Sequence, residues 1–282
     1  MEISRLEDLS KKFRIQILHM LKNAGGGHFG GSFSVVEILT ALYFGGFLRS
    51  DPKRPRWEDR DRLVLSKGHA CATLCACLAE RGFFSYNLLD TFNKFNSPFG
   101  MHPDMNKIPG CDMSTGSLGH GLSVAVGMAL AARLDNRSYR VFAILGDAEI
   151  QSGMTYEAAM SAGHYSLDNL VMILDRNRYT LDGPTEKLMG IEPLHEKFMS
   201  LKWGIAIIDG HDYQQILRAL SHLPIEVGKP SAIIANTVKG KGVSFMEETH
   251  AWHYRVITDE EFQAALVELT ETKAGQEKLN PQ

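Results

Sequence analysis

Two short apolar runs with a helical segment between them occupy the middle of this sequence. Residues 141–145 and 170–174 have the length and composition of buried strands, and residues 153–164 have a helical pattern. A strand, a helix and a strand at this spacing predict a βαβ unit with a right-handed crossover. Because apolar runs and amphipathic helices alternate along the chain, we expect an α/β fold with an open, mostly parallel sheet and helices on both faces.

Polar residues follow both runs. Asp147 and Asn177 are therefore expected at the carboxyl edge of one sheet, where open α/β sheets bind ligands. Mg²⁺ binds few protein oxygens, such as a carboxylate and an amide oxygen, and shares the rest with phosphates and water. Gly146 and Ala148 are small, so the backbone can approach a phosphate closely. Each polar residue alone is more often an ordinary strand-end residue, but the pair at this spacing favours a metal–diphosphate site.

This stretch resembles the thiamine diphosphate motif, in which Gly-Asp-Gly is followed after about 30 residues by Asn. GHYSLDNL and DRNRYTLDG within it are similar to transketolases, and the resemblance extends from about residue 10 to 260. It implies the thiamine diphosphate-binding fold over residues 1–270, as a diphosphate-binding domain, with a polar tail at 271–282. It also implies thiamine diphosphate as the cofactor, with Mg²⁺ (or Ca²⁺ or Mn²⁺) held by Asp147, Asn177 and the carbonyl of Tyr179.

Further segments carry the resemblance and contain histidines. The glycine-rich residues 24–31 contain His28, and transketolases have a Gly-His-Pro-Gly loop here whose His touches substrate. On the residue pattern alone, a flexible turn with an incidental histidine is an equally good interpretation. Phe29 stands in place of the proline, which leaves the stiffness of the loop open.

LSKGHA contains His69, which the resemblance places against the diphosphate. MHP contains His102, and the residues after TVKGKG contain His253, with Tyr254 in place of a glycine. The loop TGSLGHG passes beside the cofactor in transketolases, although a plain turn before a helix over 120–133 is the simpler alternative. The cofactor-binding set implied by the resemblance is His69, Gly116, Ser117, Leu118, Gly146, Asp147, Ala148, Glu149, Asn177 and His253. The implied catalytic set is His28, His102, His253 and Glu157.

Ser152 departs from the transketolase pattern. Transketolases usually have a glutamate at this position, and that glutamate takes part in a carboxylate network between two active sites. Glu157, on the same predicted helix, is retained. We therefore predict that the network is absent here. The simpler alternative is that Ser152 only caps the helix over 153–164.

The resemblance implies transfer of a two-carbon ketol unit between a ketose and an aldose, as sugars or sugar phosphates. We find no second half-site for the aminopyrimidine in this sequence. We therefore expect the amino-terminal subunit of a split transketolase, inactive without a C-terminal partner subunit, in a 2+2 heterotetramer. Two alternatives stay open. Deoxyxylulose-phosphate synthases, which form acyloins, also have a small residue at position 152 and GGHF near the start. The chain could also be a non-catalytic cofactor-binding paralogue.

Composition and charge argue against several other classes. The 282 residues carry a net charge of −3 with both signs mixed, so we expect no nucleic-acid partner. No apolar run reaches the length of a membrane span, and the amino terminus is too acidic and polar for a signal peptide. We therefore expect no membrane association and a cytoplasmic location. Cys71, Cys75, Cys77 and Cys111 are expected to be reduced thiols, largely buried, rather than metal ligands.

Overall fold

The computed structural model describes residues 2–271, so most of the predicted polar tail at 271–282 lies outside the described residues. Five strands form one sheet: β1 (Arg62–Leu65), β2 (Val141–Gly146), β3 (Leu170–Arg176), β4 (Gly204–Asp209) and β5 (Ser231–Asn236). Their order is β1-β2-β3-β5-β4, and every neighbouring pair is parallel. The predicted α/β class with an open parallel sheet is confirmed.

Ten α-helices occur in the part of the chain that the structure describes. They are α1 (Ile3–Asn23), α2 (Phe29–Ser34), α3 (Val36–Phe44), α4 (Cys71–Arg81), α5 (Gly121–Leu134), α6 (Gly153–His164), α7 (Thr185–Leu188), α8 (Leu194–Ser200), α9 (Tyr213–Ser221) and α10 (Asp259–Thr270). Helix α10 begins with a capping box formed by Thr258 and Glu261, as its sequence predicts. No described helix is long and apolar enough to span a membrane.

The central strands β2 and β3 are buried along their whole length, which explains their continuous apolar runs. Successive side chains point to opposite faces. Phe142 and Ile173 join the core beneath α1, α3 and α4, whereas Ala143 and Met172 join the core beneath α5, α6 and α8. Helices therefore cover both faces of the sheet, as predicted.

The glycine-rich loop is shorter than the sequence indicated. Helix α2 begins at Phe29, so Gly30 and Gly31 are helical rather than part of a loop over 24–31. Gly31 packs closely against the site, since a Cβ atom on it would lie 2.9 Å from the ring of His69. Glycine is needed here to bring a helix backbone against the site.

Strand β3 is two residues longer than the predicted run of 170–174, so Asp175 and Arg176 are strand residues. Both are buried, and the polar partners described below compensate their charges. The cysteine prediction is confirmed: Cys71, Cys75 and Cys77 are buried free thiols, and Cys111 is a partly buried one.

Candidate cofactor and substrate site

The sheet brings the two predicted metal ligands to adjacent strand ends. Strands β2 and β3 pair Gly146 with Asp175, so Asp147 and Asn177 emerge side by side at the carboxyl edge. Both line a cavity of about 290 Å³. The remaining members of the predicted cofactor-binding set line the same cavity, with the exception of Gly116 and Ser117.

The carboxylate of Asp147 is buried and tightly held. Its Oδ1 accepts a hydrogen bond from the Ala148 backbone at 2.7 Å, and its Oδ2 accepts one from Arg176 Nη1 at 2.9 Å. The Arg178 backbone N–H also donates to Oδ2. Burial and the nearby charge of Asp175 raise the pKa of Asp147 to about 6, against the opposing effect of Arg176. These donors fix the orientation of the carboxylate and leave lone pairs on Oδ1 for a cation.

Asn177 is oriented by two hydrogen bonds. Its Nδ2 donates to Asp175 Oδ2 at 3.1 Å, and its Oδ1 accepts from the Tyr179 backbone at 3.2 Å. Within residues 2–271, no group of three His, Cys, Asp or Glu side chains is arranged to hold a metal ion. A cation here would bind one carboxylate, one amide oxygen and a backbone carbonyl, and would need further oxygens from phosphate and water. That donor set fits Mg²⁺.

Lys67, which lines the cavity, forms a buried ion pair with Asp175, and both side chains are 0% exposed. Lys67 Nζ also donates to the Gly31 carbonyl at 2.8 Å, and Ser34 and Thr237 donate their hydroxyls to the Asp175 carboxylate. Burial acts to raise the pKa of Asp175, but the Lys67 ammonium and the hydrogen bonds hold it below its usual range. The sequence patterns did not indicate this pair, although LSKGHA contains the lysine.

A second buried lysine lines the cavity. Lys239, in TVKGKG, donates to the Thr180 carbonyl at 2.7 Å and lies 3.0 Å from Nδ1 of His253. Burial and the charge of Lys67 lower the pKa of Lys239 to about 8. Two lysines, Lys67 and Lys239, therefore line the cavity. Their positive charges suit an anionic ligand such as a diphosphate.

Four histidines from separate segments of the chain form one cluster at the cavity. The ring centroid of His28 lies 5.4 Å from that of His69, 5.8 Å from that of His102 and 5.4 Å from that of His253. His69 and His253 are 5.2 Å apart. The Nδ1 atom of His28 is buried and has no hydrogen-bond partner among the described residues.

All four imidazoles have lowered pKa values. Burial, followed by neighbouring cationic groups, lowers the pKa of His28 to about 4 and that of His253 to about 3. Burial also places the pKa of His69 well below its usual range and lowers that of His102. At neutral pH each ring is therefore uncharged, with one N–H donor and one acceptor nitrogen. Such a cluster suits the hydroxyl and carbonyl groups of a sugar.

The structure does not bring Glu157 to this cluster. It lies on the exposed side of α6, near the exposed Met154 and Met160, and does not line the cavity. Glu149 does line the cavity, but its carboxylate is occupied by the Ser66 hydroxyl and by two backbone N–H groups. It accepts hydrogen bonds from the Gly119 N–H at 2.8 Å and the Gly146 N–H at 3.2 Å, so it ties the 115–121 loop to the end of β2.

Ser152 occupies the N-cap position of α6, but its side chain makes no capping hydrogen bond in the part of the chain that the structure describes. It lies against Gly119 instead, where an added Cβ atom would be 2.8 Å from the Ser152 Cβ. Gly116 lies beside His102, since a Cβ atom there would be 3.1 Å from the imidazole. Gly116 therefore lies near the histidine cluster, outside the cavity.

The family match, the similar sequences and the similar solved structures all point to one protein family. Residues 7–276 match the family described as transketolase, thiamine diphosphate binding domain. The chain is 40% identical over 280 residues to one of the subunits of an apulose-4-phosphate transketolase from Phocaeicola vulgatus, covering 99% of each. It is 43% identical to a 6-deoxy-6-sulfo-D-fructose transketolase subunit of Clostridium sp., covering 94% of this chain and 96% of the relative. The crystal structure of a Campylobacter jejuni transketolase superposes with a TM-score of 0.89 at 31% identity, over 95% of this chain and 43% of that one.

Proposed function

The chain belongs to the transketolase family, and we propose that it is the cofactor-diphosphate-binding subunit of a two-component transketolase. The observation that carries the proposal is the pairing of Asp147 and Asn177 at adjacent strand ends, beside two buried lysines and four uncharged histidines. The relatives that match nearly the whole chain are themselves named as transketolase subunits. They support ketol transfer over decarboxylating acyloin synthesis.

In this proposal Asp147, Asn177 and the carbonyl of Tyr179 hold Mg²⁺, for which Ca²⁺ or Mn²⁺ could substitute. Lys239 lies on the cavity wall and offers a positive charge to the diphosphate. When bound, thiamine diphosphate supplies an electron sink for breaking a carbon–carbon bond beside a carbonyl. The residues of this chain bind and orient the cofactor and the sugar.

The histidine cluster is proposed to contact the sugar. The Nδ1 of His28, which has no hydrogen-bond partner within residues 2–271, can donate to or accept from a substrate hydroxyl, depending on its tautomer. The Nδ1 of His253 lies 3.0 Å from Lys239 Nζ and acts as the acceptor there, which leaves its Nε2 with the proton. Uncharged imidazoles close to the reacting carbons are suited to proton transfer with hydroxyl groups.

A second, partner chain is proposed to supply the rest of the active site. The chain spans 43% of the length of the Campylobacter jejuni transketolase, whereas the relatives called subunits have about its own length. Exposed Met154, Glu157 and Met160 on α6 are candidate contacts for a second chain. We propose two copies of each chain, held by an obligate interface that buries about 2,000 Å² or more.

The test is co-purification with a pyrimidine-binding subunit from the same genome, followed by assay of ketol transfer. The donor panel is apulose 4-phosphate, 6-deoxy-6-sulfo-D-fructose, D-xylulose 5-phosphate and D-fructose 6-phosphate, with short aldoses as acceptors. We expect transfer by the assembled complex only, with a sedimentation mass that fits a 2+2 assembly. Robust transfer by this chain alone would contradict the need for a partner. Release of carbon dioxide from a 2-keto acid donor, or cofactor binding without any transfer, would favour one of the two alternative functions.

The span of the binding domain over residues 1–270 and a cytoplasmic location stay predictions from the sequence.

A further inference from the structure

We propose that Tyr254 determines sugar specificity by contacting an uncharged, hydroxyl-bearing carbon of the substrate at the mouth of the histidine cluster. The inference deepens the proposed function and rests on it. Its starting point is the position of the Tyr254 ring, whose centroid lies 4.9 Å from that of His28 at an interplanar angle of 74°. The side chain is 51% exposed, so the phenol stands between the cluster and solvent.

The backbone around Tyr254 is fixed on both sides. The N–H of Gly27 donates to the Arg255 carbonyl at 3.0 Å, and the N–H of Arg255 donates back to Gly27 at 3.1 Å. Two residues before Tyr254, the Trp252 carbonyl accepts from Gly30 at 2.9 Å. Backbone hydrogen bonds therefore hold the segment that carries Tyr254 against the segment that carries His28. The two side chains should keep their arrangement when a sugar binds.

Two exposed side chains lie beside the ring of His28. His102 is exposed and has its ring centroid 5.8 Å from that of His28, and Tyr254 lies nearer. Between them they border the approach to the more buried His69 and His253. A sugar whose reacting end lies among these buried rings would extend past the exposed phenol of Tyr254.

The charges nearby argue for a neutral contact rather than a phosphate contact. Arg255, the adjacent cation, lies 4.6 Å from the Trp252 ring centroid and donates to Glu261 at 2.7 Å. Its charge is therefore already compensated. The phenol supplies one donor, one acceptor and an apolar ring face, which together suit a hydroxylated carbon chain.

The experiment compares Tyr254→Phe and Tyr254→Ala with wild type in the assembled complex. Aldoses of two to five carbons, each with and without a terminal phosphate, serve as acceptors for one fixed donor, the member of the donor panel that the wild-type complex uses best. We expect Tyr254→Phe to raise KM about fivefold for acceptors long enough to reach the phenol, the effect of losing one neutral hydrogen bond, with kcat within about twofold of wild type. Tyr254→Ala should also change the order of the KM values among acceptors of different length. The shortest acceptor should respond least.

Tyr165→Phe is the matched control, because Tyr165 is 52% exposed and its ring lies 4.9 Å from that of His164 at 78°. It should keep the wild-type KM for every sugar. An unchanged KM profile in both Tyr254 variants would overturn the inference while leaving ketol transfer intact. Loss of transfer in wild type would instead contradict the proposed function. Should Tyr254→Ala fail to assemble, Tyr254→Phe still decides the hydrogen-bond contact.

Discussion

Arg176 and Asp147 form a buried ion pair in which Nη1 lies 2.9 Å from Oδ2, with the two side chains 4% and 1% exposed. The same guanidinium donates to Thr185 at 2.8 Å, to Glu186 at 2.9 Å and to Glu192 at 3.1 Å. One side chain on β3 therefore connects the proposed metal ligand to the segment over 185–192. Arg176 is a positioning residue for the site, since it contacts the carboxylate and not the cavity.

Replacing Arg176 by methionine should strongly destabilise the protein. The change leaves the buried Asp147 carboxylate without its cation, and breaking a buried pair in this way typically costs about 3–5 kcal/mol. Urea unfolding of Arg176→Met against wild type measures the loss. Arg137→Met is the control, because Arg137 pairs with Glu58 and Asp59 at the surface and should matter much less. Equal losses in the two variants would contradict the positioning role.

A second prediction concerns the pair of Lys67 and Asp175. Lys67→Met should destabilise by about 3–5 kcal/mol, because it leaves a fully buried carboxylate unpaired. Adding Asp175→Asn should restore part of that loss, because the double variant has no unpaired charge at either of these two positions. A double-mutant cycle of unfolding free energies measures the coupling. Additive effects of the two single substitutions would show that the pair is not coupled.

The third prediction is a pH dependence that originates at His28. Its pKa of about 4 in the folded protein lies below the usual value of about 6.5. As the pH falls, the unfolded chain therefore binds a proton at a higher pH than the folded protein does. Stability from this group is present above about pH 6.5 and is lost as the pH falls toward 4. Asp147, whose pKa is raised to about 6, acts in the opposite direction between about 3.8 and 6, so a difference between variants is required.

His28→Gln should therefore lose less unfolding free energy than wild type between pH 6.5 and 4. Urea unfolding at closely spaced pH values measures how the free energy of unfolding changes with pH in wild type and in His28→Gln. His164→Gln, at an exposed position on α6, should keep the wild-type slope. Identical slopes for wild type and His28→Gln would show that burial of this imidazole does not contribute to the pH dependence.

The fourth prediction is that the two active sites of the assembled complex load cofactor independently. Ser152 contacts Gly119 and offers no carboxylate for a network between sites, while Glu157 is exposed on α6. Coupled titration of shared protons requires closely spaced carboxylates, and one of them is replaced here. Titration of the complex with thiamine diphosphate should give a Hill coefficient near unity. Strong cooperativity that persists in Ser152→Ala would contradict this prediction.

The strand-end part of the site could be predicted because its signals are local. The apolar runs before Asp147 and Asn177 identify strands of one parallel sheet, and parallel strands must end at one edge. For the histidines the local pattern did not decide, since a glycine-rich loop around His28 is equally compatible with an incidental turn, and the family resemblance carried the prediction. Nothing local to His28 and His253 indicates that their rings lie 5.4 Å apart, since 225 residues separate the two (253 − 28).

The charged residues around the cavity could not be predicted, for a physical reason. Lysine and arginine are by default surface residues, so sequence patterns assign Lys67, Lys239 and Arg176 to solvent. They are buried because partners distant in sequence compensate their charges, such as Asp175 for Lys67. Helices α7 and α8 were likewise not predicted, because both are short and follow a turn-rich segment.

The central claim is that Asp147 and Asn177 bind the metal–diphosphate end of the cofactor. Isothermal titration of thiamine diphosphate with Mg²⁺ into the assembled complex tests it most directly, using wild type, Asp147→Ala and the control Asp182→Ala. Asp182 lines the same cavity with an exposed carboxylate. We predict that Asp147→Ala abolishes Mg²⁺-dependent binding, whereas Asp182→Ala retains it. An unchanged affinity in Asp147→Ala would contradict the claim.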